Sequence, residues 1–454
     1  MATAPEAPTD LDASRDLLRS GDAAGALERL QALIRTGEPT AAAYALLGQA
    51  HRALGDDAAA GEAFRLADVA EPGHLPSRLL RAETLADAGD TAGARALLYD
   101  TADRHPTVAN VLVQIAALTQ GREDYDALRR LWLTARTRGM TSPAGARAVA
   151  RAACLVDAFE EAREIFRALI RTELERVRED RVHNVARPQK TSAGRVGNGK
   201  GERALRDLKA LLREADTPFF LVSGTLLGFL REGRMLAGDK DIDIGVFEDD
   251  YDHAKLVGAF RRSPVFAVKR LDNSNRLRVV HVNGVWIDIF PHYREGDLIW
   301  HDGTASRWSN TPFGIEVMTL DGETYEVPSP PERYLEENYG DWRVPNALFD
   351  VRYEAPNAQI TSPDYLSILI YTKVFESLVA GKWAVIDKYV ADFPAMFRDD
   401  PVLAEVAGEA NVVARLEVAG RRPGGRAVAR PPVKQPDHVR LAKWFSKRWK
   451  RLFE

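Results

Sequence analysis

Residues 219–246 read FFLVSGTLLGFLREGRMLAGDKDIDIGV: a hydrophobic strand, a turn of small residues, a short helical segment and an acidic strand in succession. Asp241 and Asp243 alternate with Ile242 and Ile244. Side chains on a strand alternate with period two, so both carboxylates leave one face and both isoleucines the other. Neighbouring carboxylates repel each other. A hard divalent ion between them, Mg2+ or Mn2+, removes that cost and keeps positions open for phosphate oxygens. An ordinary half-exposed strand with acids facing water has the same pattern, so the flanking residues must decide.

Upstream, Arg203–Ala215 carries helical apolar spacing through Leu205, Leu208, Leu211 and Leu212, and Pro218 ends it before the strand FFLVS. Gly224 and Thr225 follow. A small-residue turn feeding a helix exposes backbone N–H groups at the helix's positive end, where phosphate binds. Downstream, RLRVVHV (276–282) and VWIDIF (285–290) flank Asn283-Gly284, a strong hairpin signal. A two-residue turn there sets His281 opposite Trp286 and Val279 opposite Asp288. It gives Asp288 a face shared with Trp286, Phe290 and His281, while Ile287 and Ile289 turn to the core. Asp288 thus offers a third carboxylate in the same alternating frame. A glycine and hydroxyl residue after a strand, then an acid-apolar-acid strand, is the two-part signature of the nucleotidyltransferase fold.

The N-terminal third has a different period. Gly21-Asp22, Gly55-Asp56 and Gly89-Asp90 recur at a spacing of 34, and Leu30, Phe64, Leu98, Trp132 and Phe166 recur in step. Tyr44, Leu47-Gly48, Gly55, Ala60, Phe64, Ala67 and Pro72 give one unit the look of a tetratricopeptide repeat. About five such helical hairpins fill residues 9–178 as an α-solenoid, a scaffold suited to binding a partner protein or to bracing the next domain. Residues 181–200, rich in Gly and basic residues, read as a linker; their GNGK lacks the strand and spacing of a phosphate loop. The fold class expected is therefore multidomain α and α+β, with a solenoid preceding a nucleotidyltransferase-like mixed β-sheet domain with flanking helices over 201–395.

SGTLLGFLREG, DKDIDIG, WIDIFPHY and YLEENYGDWRVP together resemble the LicD and fukutin-related family of phosphotransferases across roughly residues 203–390. The resemblance implies a divalent-metal-dependent enzyme that moves phosphocholine, alditol phosphate or sugar phosphate from a cytidine nucleotide donor to a glycan. It implies metal-binding and catalytic roles for Asp241, Asp243 and Asp288. Substrate-binding roles fall on Gly224 and Thr225 of the phosphate turn, on Arg231 and, around the acids, on Asp239 and Lys240. Tyr339-Gly340-Asp341 matches a later family element. The chain departs from the family at Ala237, Gly238, Lys240 and Glu232, positions that bear on what approaches the site. A nucleotidyltransferase that places a nucleotide on a small molecule or RNA would use the same acids, and an adaptor with a decayed catalytic domain would keep the same fold.

Composition narrows the setting. The chain has 454 residues, a net charge of -4 and one cysteine, Cys154, which excludes intramolecular disulfides and multi-cysteine zinc sites. No stretch of eighteen apolar residues occurs, and the N-terminus lacks the pattern of a signal peptide. Residues 361–393 read as two helices broken near Gly381, where Lys373 either reaches a donor phosphate or snorkels to solvent. From Arg421 onward eleven Lys and Arg face two acids. Residues 421–436 read as a basic linker. Residues 437–454 set Leu441, Trp444, Phe445, Trp449, Leu452 and Phe453 against Lys443, Lys447, Lys450 and Arg451, the pattern of a helix lying on an anionic membrane surface. The expected enzyme is cytoplasmic and peripheral on the inner membrane face. It takes a nucleotide-activated donor and an envelope glycan, lipopolysaccharide or lipid-linked acceptor, and no DNA.

Overall fold

A computed structural model describes residues 10–20, 22–37, 39–182, 199–236, 238–239, 241–263, 265–269, 276–320 and 322–418. Most of the expected linker 181–200 and the whole of 421–454 lie outside them, as does Lys240. The described residues fall into two compact units, divided between Val156 and Asp157.

The first unit is built of helical hairpins: α1 (Asp10–Ser20) with α2 (Ala23–Thr36), α3 (Ala41–Ala53) with α4 (Asp57–Ala70), α5 (Leu75–Asp87) with α6 (Thr91–Arg104), and α7 (Ala109–Ala117), α8 (Arg122–Thr137) and α9 (Pro143–Cys154). The recurring Gly-Asp explains the turns. Gly55 and Gly89 take φ of +81° and +91°, the left-handed exit that glycine tolerates. The aspartate after each then caps the next helix, Asp56 accepting from the Ala59 N–H and Asp90 from the Gly93 N–H. Leu30, Phe64, Leu98 and Trp132 are buried, as their period predicts. Gly48 marks a close crossing, since a Cβ there would stand 2.4 Å from the Phe64 ring.

The second unit opens with α10 (Phe159–Val182) and α11 (Lys200–Glu214) and carries an eight-stranded sheet. Strands β1 (Phe220–Leu221), β2 (Asp241–Phe247), β3 (Phe266–Lys269), β4 (Leu277–His281), β5 (Trp286–Glu295), β6 (Leu298–Asp302) and β7 (Ser306–Asn310) belong to it; β8 (Gly314–Leu320) and β9 (Glu323–Ser329) form a separate ribbon; and β10 (Ala358–Ile360) closes the edge beyond β7. The order is β1-β2-β5-β6-β7-β10, with β4 beside the first half of β5 and β3 beyond it. Among the described residues only β2 and β5 pair in parallel, Asp243 beside Asp288 and Ile244 beside Ile289. Helices α12 (Ser223–Glu232), α13 (His253–Arg262), α14 (Pro331–Tyr339), α15 (Val351–Glu354), α16 (Pro363–Ala380), α17 (Trp383–Asp392), α18 (Pro394–Asp399) and α19 (Pro401–Val418) complete the unit. Gly381, at φ +65°, separates α16 from α17 where the sequence places the break.

The core lies on the isoleucine face: Ile242, Ile244, Ile287 and Ile289 have no exposed surface and pack with Leu205, Leu208 and Leu212 of α11. The α and α+β architecture expected from the sequence is the one observed.

One expectation is corrected. The hairpin at Asn283-Gly284 has a three-residue loop, closed by bonds from the Gly284 N–H to the His281 carbonyl and from the His281 N–H to the Val285 carbonyl. Gly284 takes φ +90° at its third position. The pairing therefore shifts by one residue, setting Arg278 opposite Asp288 and Val279 opposite Ile287. A one-residue slip exchanges faces. His281 leaves the acidic face, is fully buried, and bonds Asp207 on α11 at 2.9 Å.

At Gly245 the sheet has no room for a side chain, because a Cβ would stand 2.5 Å from Phe220 and 2.8 Å from His292. Gly245→Ala is expected to destabilise the second unit by about 1–3 kcal/mol. Denaturant unfolding of the full chain measures this, and an unshifted transition would show that the strand backs onto looser packing.

Candidate active site

The parallel pairing of β2 with β5 puts Asp241, Asp243 and Asp288 on one sheet face, and they line a cavity of about 780 Å³. Asp239 and Gly224 join the same wall. The sequence-predicted acids are thus brought together. Asp243 sits at their centre. Desolvation in the recess, then the charges of Asp241, Asp239 and Asp288, push its pKa well above the ordinary 3.8, against an opposing hydrogen bond from the Gly224 N–H.

The small-residue turn acts mainly on this carboxylate. Ser223 opens α12 at φ +48°, a left-handed conformation unusual for a side-chain-bearing residue, and the turn aims the Gly224 N–H at Asp243. A Cβ on Gly224 would meet Asp239 Oδ2 at 2.8 Å. Thr225 is buried, and its Oγ1 accepts the Asp243 backbone N–H at 2.8 Å. Thr225 holds strand to helix and does not line the cavity. Arg231 likewise lies outside the lining; its Nη1 donates to the Trp342 carbonyl at 3.3 Å. That bond ties α12 to the segment after α14. Of Tyr339-Gly340-Asp341, Tyr339 lines the cavity, Gly340 supplies a left-handed helix exit at φ +64°, and Asp341 is exposed. Burial, then the nearby Asp243 charge, pushes the Tyr339 hydroxyl well above its usual range and keeps it a donor.

Several lining residues had no motif to announce them. Arg278 forks onto both oxygens of Asp288, and Arg276 Nη1 lies 3.6 Å from the same carboxylate. The alternation of RLRVV reveals both arginines once the three-residue hairpin loop is recognised. Phe290, His301 and Trp308 form an aromatic wall, with His301 stacked on Trp308 at 5.1 Å between centroids. Burial pushes His301 well below the ordinary histidine range, so its ring is neutral near pH 7. The far wall comes from the 347–352 segment, α16 and α17, and includes Lys373, Lys388 and Tyr389.

Among the described residues no three His, Cys, Asp or Glu groups converge to hold an ion, and Asp288 is turned onto Arg278. The donor set nevertheless fits a hard divalent cation. Asp241 and Asp243 are oxygen-only ligands on alternate positions of one strand, in a cluster whose mutual repulsion raises the central pKa.

Strand, small-residue turn, helix and an acidic strand paired in parallel with a third acid define a nucleotidyltransferase-like domain. Residues 216–319 match the family model described as "LicD/FKTN/FKRP, nucleotidyltransferase domain", so the chain carries a LicD-like domain. It is 30% identical over 158 residues to the ribitol-5-phosphate transferase FKTN of Mus musculus, covering 33% of this chain and 34% of that protein. Against the Homo sapiens protein of the same name it is 29% identical over 171 residues, 35% and 37% of the two lengths. The chain thus spans about a third of the length of these relatives.

The repulsion has a thermodynamic signature. A carboxyl whose folded pKa is raised binds its proton more tightly folded than unfolded. Its contribution to stability is full below the ordinary value and is lost as pH rises through the raised one. In buffer without divalent ions, Asp243→Asn is expected to melt about 2–4 °C above wild type near pH 7, with the gap narrowing as the pH is lowered. Added Mn2+ should raise the wild-type melting temperature and leave the variant's unchanged. Thermal melts with and without Mn2+ decide it; a variant that melts lower in metal-free buffer argues against a repulsive cluster.

Proposed function

We propose that this protein is a phosphotransferase that moves a phosphate-linked head group from a nucleotide-activated donor to a glycan hydroxyl. The observation that carries the reading is the convergence of Asp241, Asp243 and Asp288 with the Gly224 turn in one large cavity of a LicD-like domain. The relatives' printed activity, ribitol-5-phosphate transfer, supports an alditol phosphate or related head group; the cytidine nucleotide donor is what the sequence resemblance implies. The acceptor hydroxyl oxygen attacks the head-group phosphorus. The bond from that phosphorus to the nucleotide's phosphate oxygen breaks, nucleoside monophosphate leaves with the bridging oxygen, and the hydroxyl proton passes to solvent.

Asp241 and Asp243 would hold Mg2+ or Mn2+, which supplies charge neutralisation for the donor's diphosphate. The protein's own share is placement. The cavity walls fix donor and acceptor, Tyr339 offers a hydroxyl donor, and the aromatic wall of Phe290, His301 and Trp308 offers flat apolar faces to a polyol or sugar. Incubation with CDP-linked head groups and Mg2+ is expected to release CMP and label the glycan acceptor. Product that carries the nucleotide would overturn the reading. Asp241→Asn should lower transfer by about 10²–10³-fold or more while the melting profile persists.

The expected membrane setting rests on residues 437–454, whose sequence alternates aromatic and basic groups at helical spacing. We propose that this segment brings the enzyme to an anionic surface at the cytoplasmic face of a membrane, where an envelope or lipid-linked acceptor would lie; the described residues include no helix long and apolar enough to cross a membrane. Deleting 436–454 should abolish co-sedimentation with phosphatidylglycerol vesicles. Equal pelleting of the shortened chain would refute the anchor.

A further inference from the structure

Two arginines stand among the acids of the cavity face. Arg278, opposite Asp288 across the β4–β5 pairing, forks onto both of its oxygens; its Nη2 lies 3.9 Å from Asp241 Oδ2, and its guanidinium is 5.5 Å from the centre of the Trp286 ring. Arg276, two positions earlier and so on the same face, lies 3.6 Å from Asp288 and 3.4 Å from the Thr304 hydroxyl. Both side chains line the cavity. Asp288 itself is only 4% exposed.

A carboxylate this deep must be matched by positive charge. A forked guanidinium takes both carboxylate oxygens, which are also the oxygens a divalent ion would need. The two cations therefore compete for Asp288. Arginine cannot relieve the conflict by losing its proton. If Asp288 turns to an ion, the displaced guanidinium remains charged at the cavity wall, and an anionic ligand arriving there is its compensating partner.

Resting on the transferase reading above, we propose that Arg278 is the resident counter-ion of the acidic face: it occupies Asp288 until a divalent ion enters the cluster, then turns its guanidinium to a phosphate of the donor. The ion releases Arg278 for the phosphate, and the phosphate draws Arg278 off the ion's ligand. Each ligand thereby favours the other, and the coupling is reciprocal. Arg278 positions both without touching the bond that breaks, while Arg276, anchored by Thr304, keeps part of the Asp288 charge matched during the exchange.

The test is binding by the full-length chain, with Mn2+ followed by electron paramagnetic resonance and CDP by calorimetry, for wild type, Arg278→Gln and Arg278→Lys. Removing the competing cation should tighten Mn2+ binding in Arg278→Gln about 10-fold without nucleotide, and weaken CDP binding at saturating Mn2+ by about as much. Arg278→Lys keeps the charge but cannot fork, so it should tighten Mn2+ less and lose less CDP affinity. Circular dichroism confirms that each variant is folded, and the lysine variant reads the proposal if the glutamine variant is not. Unchanged or weaker Mn2+ binding in a folded variant, with wild type binding both ligands and releasing CMP, overturns the counter-ion role alone. Wild type that binds neither Mn2+ nor CDP overturns it together with the transferase reading.

Discussion

The parallel pairing of β2 with β5 is the constraint on which the second unit depends, because it fixes two opposed surfaces at once. Asp243 beside Asp288 on one face requires Ile244 beside Ile289 on the other. Four isoleucines without exposed surface, each contributing about 1.5–3 kcal/mol by leaving water, hold the register against the repulsion of the acids. Slipping either strand by one residue would put isoleucine into the cavity and carboxylate into the core, so the acids cannot escape one another by shifting register. The site is strained where the core is strongest.

The groups around the acids make that strain tolerable without removing it. Thr225 takes the backbone N–H of Asp243, Gly224 offers its own N–H to the carboxylate, and the left-handed Ser223 gives the turn that geometry. Arg278 and Arg276 compensate Asp288, while Asp243 stays desolvated beside the charges of Asp241 and Asp239. The arrangement presents a cation with a prepared pair of oxygen ligands at Asp241 and Asp243 and a third carboxylate held in reserve.

Much of this was legible in the sequence because period-two alternation is local. DIDIG and WIDIF each display their acids and isoleucines within five residues, and Gly55-Asp56 and Gly89-Asp90 announce their helical hairpins through one residue's left-handed backbone and the next residue's cap. The hairpin register was less legible, because Asn283-Gly284 fits two loop lengths and only the bond from His281 to Val285 chooses between them. That choice moved His281 to the core and brought in Arg278. The roles of Thr225 and Arg231 were hidden for another reason: a motif marks the position of a residue but not the direction of its side chain. Of the far wall, the sequence offers Lys373 with two readings, and the structure sets it on the cavity; Lys388 and Tyr389 could not be read, since contacts across more than a hundred residues leave no local pattern.

That far wall also explains why α10, which carries Phe166 at the fifth step of the helical period, belongs physically to the second unit. Asp400, capping α19, accepts N–H bonds from Val402 and Leu403 and a bond from Arg167 of α10 at 2.6 Å, and it takes the Tyr371 hydroxyl of α16. Arg163 of α10 adds an ion pair to Asp364 at 2.9 Å. One buried carboxylate therefore ties three helices together, and the middle one, α16, presents Thr372 and Lys373 to the cavity. Losing the Asp400 carboxylate would leave a buried Tyr371 hydroxyl and an arginine without this partner, at the back of the helix whose front lines the cavity. The wall facing the acids is thus braced from behind by a helix far from them in sequence, and the cavity's dimensions depend on α10 as well as on the strands that carry the acids.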